Sequence, residues 1–172
     1  MCVCLFFFFL DEAVGRCENL SHGVPHFPEL TKQDSAVRLR HHLVVAVVHG
    51  EPAPTVYHAP ENVAHDPNLT IEVLQRTLKR LEKERNGVLP KTLFLQMDNC
   101  TRENKNTAVT AYLSWLVERG IFDRIEVSFL PVGHTHNECD QVGSRLAIGV
   151  RYAGIATRKA MVEILEGRVH AP

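Results

Sequence analysis

With 172 residues, 45% of them hydrophobic, the chain can close one core and is short for two ordinary domains. A formal net charge of −1 argues against the broad basic face of a self-sufficient nucleic-acid binder, so a DNA partner would have to be held locally or through another chain. Five cysteines at irregular spacing argue against a disulfide framework and for a reduced intracellular protein, nuclear or cytoplasmic.

In chain order, Cys2 to Leu10 is a continuous apolar run, too short to cross a bilayer and without a preceding Lys or Arg, so no membrane association is expected. It reads either as a buried strand or as a stretch foreign to the domain, and residues 1–14 are set apart on that account. Residues 12 to 37 are polar and broken by Gly23, Pro25 and Pro28, the composition of a loop. His41 to His49 is rich in β-branched residues and ends at a Gly50 turn, and Thr55 to His58 is expected to pair back on it as a hairpin.

Asp66-Pro67 opens a helix in which Ile71, Leu74, Leu78 and Leu81 recur at helical spacing, and Asn86-Gly87 closes it. Thr92 to Met97 is nearly continuous in apolar residues, the pattern of a strand covered on both faces. The segment Asn106 to Arg119 predicts a helix with a wide apolar arc that buries Trp115, stopped at Gly120. Ile125 to Val132 predicts another strand, Asn137 to Ile148 a core helix, and Thr157 to Glu166 a short amphipathic helix within a C-terminal segment, residues 151–172. A hairpin followed by alternating helices and strands implies an α/β fold, a mixed sheet flanked by helices, in the RNase H-like order.

In that order Asp98 ends the fourth strand, while Glu138 and Asp140 open the helix after the fifth, 40 and 42 residues later. One helix and one strand fit in that interval and return the acids to the same sheet edge. Carboxylates converging from separate elements are what two Mg²⁺ or Mn²⁺ ions require to clamp a phosphodiester about 3.5–4 Å from one another. The blander readings are that Asp98-Asn99 forms a helix-entry turn and that Asn137 with Asp140 is a capping pair. His134 and His136 flank Thr135 and point the same way in an extended segment, so they are candidate metal ligands or partners to the carboxylates. Arg102, Asn104 and Lys105, near a helix start, are candidates for contact with nucleic-acid phosphates; a solvated loop explains them equally.

The stretches LFLQMDNCTRENKN, AYLSWLVERGIF and VSFLPVGHTHNECDQVGSR, together with VVAVVHG and GVPHF, resemble a eukaryotic domain family of unknown function found in mobile-element-derived proteins. Its pattern is similar to DDE-type transposase or integrase cores, and the resemblance covers residues 15–150. It implies an RNase H-like nuclease or strand-transfer domain with Asp98 as second acid and Asp140, or else Glu138, as third. The first acid departs from the pattern: counting back from Pro25 reaches Gly15, with Glu18 nearest and Asp11 too early. The foreign reading of the apolar run therefore takes precedence, which leaves the centre of the sheet without its strand and predicts little or no Mg²⁺-dependent nicking by a degenerate copy. Two other classes remain open, a zinc-dependent hydrolase using His134 and His136, and a co-opted domain that binds other proteins without catalysis.

Overall fold

The computed structural model describes residues 2–9, 23–24, 39–60, 62–130, 138–151 and 157–169. In chain order the elements are β1 (Cys2–Phe9), β2 (Gly23–Val24), β3 (Leu39–Val48), β4 (Thr55–Pro60), α1 (Pro67–Glu84), β5 (Thr92–Met97), α2 (Thr107–Glu118), β6 (Arg124–Phe129), α3 (Glu138–Arg151) and α4 (Arg158–Val169). The result is a mixed α/β fold, with helices on both faces of the sheet.

β3 lies antiparallel to both β1 and β4, and its residues Val44 to Ala46 pair with the two at once, so β1 and β4 occupy its opposite edges. β1 then runs parallel to β5, and β5 parallel to β6, giving the order β4-β3-β1-β5-β6. β2 adds a two-residue ladder at the start of β3, inside a segment expected to be wholly loop. The apolar run Cys2–Phe9 is thus the central strand, and the expectation of a sheet lacking its centre is corrected. Eight β-branched, aromatic and other apolar residues in a row suit a position paired on both edges, where nothing polar need emerge.

β3 shows how the layers are divided. Val44, Ala46 and Val48 enter one core with Leu69, Val73, Leu74, Leu78 and Leu81 of α1 and Val109, Leu113 and Leu116 of α2. Leu43, Val45 and Val47 enter the other with Val142 and Leu146 of α3 and Met161 of α4. The period of two along a strand sends alternate side chains to opposite faces, and each buried Leu or Val contributes roughly 1.5–3 kcal/mol through removal from water.

α1 starts where Asp66 accepts hydrogen bonds from the N–H groups of Asn68 (2.9 Å) and Leu69 (3.3 Å), with Pro67 supplying a helical φ and no orphan donor. It stops where Asn86 (φ 56°) and Gly87 (φ 81°) turn left-handed. α2 is capped by the side-chain Oδ1 of Asn106, which accepts from the Val109 N–H at 3.0 Å, and ends at Gly120 (φ 68°). Only Val109, Leu113 and Leu116 of α2 are buried. Trp115 is 43% exposed, which corrects the expectation of a buried Trp. Helical spacing explains the difference: Trp115 lies two residues from Leu113, about 200° around the axis, so it cannot share the inward face.

Candidate functional site at the strand ends

Because β1 and β5 are parallel with Phe7 opposite Met97, their C-terminal ends emerge at one edge of the sheet. Asp98 is the first residue beyond β5 there and is half-buried. A compact loop follows. The Cys100 carbonyl accepts from the N–H groups of Asn104 and Lys105, each at 2.9 Å, folding residues 100–105 into a turn that leads into α2. Asn104 is 1% exposed; its Nδ2 donates to the Asp98 carbonyl (3.4 Å), and its Oδ1 accepts from Thr70 Oγ1 of α1 (3.1 Å). The same Thr70 hydroxyl lies 3.0 Å from the Glu103 carbonyl, so the loop is tied to the first turn of α1 at two points.

Glu103 is completely buried. Its Oε1 accepts from Arg102 Nη2 at 2.7 Å and Nε at 3.2 Å, and stands 2.9 Å from His65 Nδ1. A buried carboxylate is expensive unless donors surround it; the Arg102 guanidinium supplies a charged donor and the His65 ring a close polar neighbour at Oε1, while Oε2 has no hydrogen-bond partner. The Cys100 thiol sits beside this group. Burial pushes its pKa up, and the neighbouring Glu103 carboxylate pushes it further, so Cys100 is held as a thiol and not as a reactive thiolate.

The sequence-predicted residues are distributed as follows. Asp98 stands at the strand exit as expected. Glu138 and Asp140 belong to the first turn of α3, which packs on β3 and β1; their side chains lie outside the described residues. His134 and His136 lie outside them as well, as do Asp11 and Glu18. Arg102 and Lys105 are exposed, the first bound to Glu103 and the second placed 5.4 Å above the Phe129 ring. Asn104 leaves the set of phosphate-facing candidates, because its side chain is buried and engaged within the fold. Among the described residues no three His, Cys, Asp or Glu converge as a metal-binding group.

Two residues that sequence reasoning passed over matter most to this edge. His65 was one of several scattered histidines, and Glu103 sat in a stretch, TRENKN, whose composition reads as solvated. No local pattern marks either, since their pairing joins the turn before α1 to the loop after β5.

Among the described residues no helix is long and apolar enough to cross a membrane. No curated protein and no solved structure matches the chain. Residues 31–172 match the model of the Domain of unknown function DUF7869, which covers β3 to α4 and most of the length, and the chain belongs to that family.

Proposed function

We propose that the chain is an RNase H-like domain of transposase descent whose strand ends bind Mg²⁺ or Mn²⁺ for cleavage or strand transfer at a DNA phosphodiester. The observation that carries this reading is the strand order β4-β3-β1-β5-β6, with β3 antiparallel and β1, β5 and β6 parallel. It supports placing Asp98 beside the end of the central strand, with α3 bringing Glu138 and Asp140 from the opposite layer.

The donor set suits a hard cation. Asp98 offers a half-buried carboxylate, and Oδ1 of the adjacent Asn99 is buried without a hydrogen-bond partner, a neutral oxygen left over by the loop. Asp98 and Asp140 would hold the ions, with Glu138 as the alternative third acid. Bound there, the ions would polarise the phosphate and stabilise the attacking and leaving oxygens. The protein's own part is to fix Asp98 through the Asn104 clamp and to offer Arg102 and Lys105 near the DNA backbone.

The filled centre of the sheet supports a different reading of the first acid. Phe7 is level with Met97 where β1 and β5 end, and in the sequence Asp11 stands two residues after Phe9, the last residue of β1. Asp11 therefore becomes the favoured first acid over Glu18 and over a site with none.

Calorimetric titration of Mn²⁺ into the full chain tests the reading, alongside nicking of supercoiled plasmid. Binding lost in both Asp98→Asn and Asp140→Asn is the expected result. Binding that survives both variants and favours Zn²⁺ would move the site to His134 and His136 and to a hydrolase; no binding of any divalent ion would make the domain a non-catalytic interaction module.

A further inference from the structure

We propose that β6 is a self-pairing edge, through which two copies of this chain join their sheets antiparallel about Val127. Among the described residues β6 has a strand on one side only. On that side Arg124 N–H donates to the Lys91 carbonyl (3.3 Å) and Leu130 N–H to the Met97 carbonyl (3.0 Å). Backbone groups alternate along a strand, so the even residues of β6 turn toward β5, and the N–H and C=O groups of Ile125, Val127 and Phe129 point to the open edge. Such an edge is a template for another strand.

The side chains agree with this edge. Ile125, Val127 and Phe129 line a cleft of about 330 Å³ between β6 and α2, with Leu113 and Val117 on its helical wall. Val127 is 39% exposed and Val117 37%. On the other face Arg124 and Glu126 pair with each other at 3.1 Å.

Charge and overlap select the register. Centring on Glu126 places two carboxylates opposite each other, which is unfavourable. Centring on Ile125 sets Arg124 against Glu126 but overlaps only residues 124 to 126 of the strand. Centring on Val127 overlaps residues 125 to 129 of the strand, opposes Glu126 to the Ser128 hydroxyl, and sets Ile125 against Phe129 on the cleft side with no like charges facing. In that register the three outward residues exchange hydrogen bonds with their counterparts, and the two clefts meet across the two-fold axis.

Sedimentation equilibrium of the full chain at roughly 100 µM, well above a micromolar Kd, is expected to give twice the 19.4 kDa monomer mass. Val127→Pro removes an outward N–H and no bond to β5, so it should give a folded monomer whose melting midpoint equals that of the dilute parent chain and no longer rises with concentration; Ser128→Pro removes an N–H that β5 uses and should lower the midpoint below that value. Amide exchange at Ile125, Val127 and Phe129 in the unmodified chain should slow as concentration rises. A monomer at every concentration, a dimer that survives Val127→Pro, or exchange at those amides that does not depend on concentration would overturn the proposal. So would capture of an extended apolar peptide at β6 by a chain that remains monomeric.

Discussion

Nδ1 of His65 and Oε1 of Glu103 stand 2.9 Å apart, a contact that fastens the turn before α1 to the loop that carries Asp98. The carboxylate is buried while its other partner, Arg102, is mostly exposed, so the hold on the loop rests on this inner contact more than on a screened surface pair. Glu103→Gln keeps the shape and removes the charge, leaving donors poorly matched; a loss of about 1–3 kcal/mol is expected from urea denaturation. A midpoint equal to that of the parent chain would show that the loop does not rely on the pair.

The two faces of α2 predict opposite responses. Leu113 lies in the core against the sheet, and Leu113→Ala should cost about 2–5 kcal/mol, from lost burial and the cavity left behind. Trp115 stacks on the half-buried Tyr112 with ring centroids 6.0 Å apart and carries the exposed Arg119 at 5.6 Å. Trp115→Ala should therefore cost only about 1 kcal/mol. Thermal melts of the two variants, compared with the parent, check the difference; a larger loss at Trp115 would reverse the placement of the helix.

Cys100 should alkylate slowly at neutral pH, because burial first and Glu103 second hold its pKa above that of an ordinary thiol. The stabilisation tied to the protonated thiol is complete below the ordinary thiol pKa of about 8.5, and is lost as pH rises through the raised folded value. Folding stability should fall on the alkaline side more steeply in the parent than in Cys100→Ser. Iodoacetamide rates against pH read the thiol directly, and Glu103→Gln should move that profile toward lower pH. An unshifted profile in Glu103→Gln would leave burial as the whole cause.

Asp11→Asn separates a three-acid site from a two-acid one. If the central strand delivers Asp11 to the edge where Asp98 emerges, Mn²⁺ affinity and any Mg²⁺-dependent nicking should drop as far as in Asp98→Asn. Calorimetry and a plasmid assay on the same preparations provide the check. Activity retained in Asp11→Asn and lost in Asp98→Asn would return the first acid to Glu18 or remove it from the site.

The alternation of strands and helices, the Asp66-Pro67 start and the Asn86-Gly87 stop were legible in the sequence, because caps and hydrophobic periods act over a few residues. So was the position of Asp98 at the end of β5, whose bounds, Thr92–Met97, follow from the same local pattern. The place of Cys2–Phe9 was decided by the tertiary structure alone: an apolar run carries no sign of its neighbours, and only pairing with β3 on one edge and β5 on the other makes it central. Trp115 and Glu103 reverse the rule of composition for the same reason. A large aromatic can stay outside when smaller neighbours face the core, and a carboxylate can go inside when the fold brings Arg102 and His65 to it. Burial is a property of what surrounds a residue, and for these two the surroundings come from helix phase and from a turn distant in sequence.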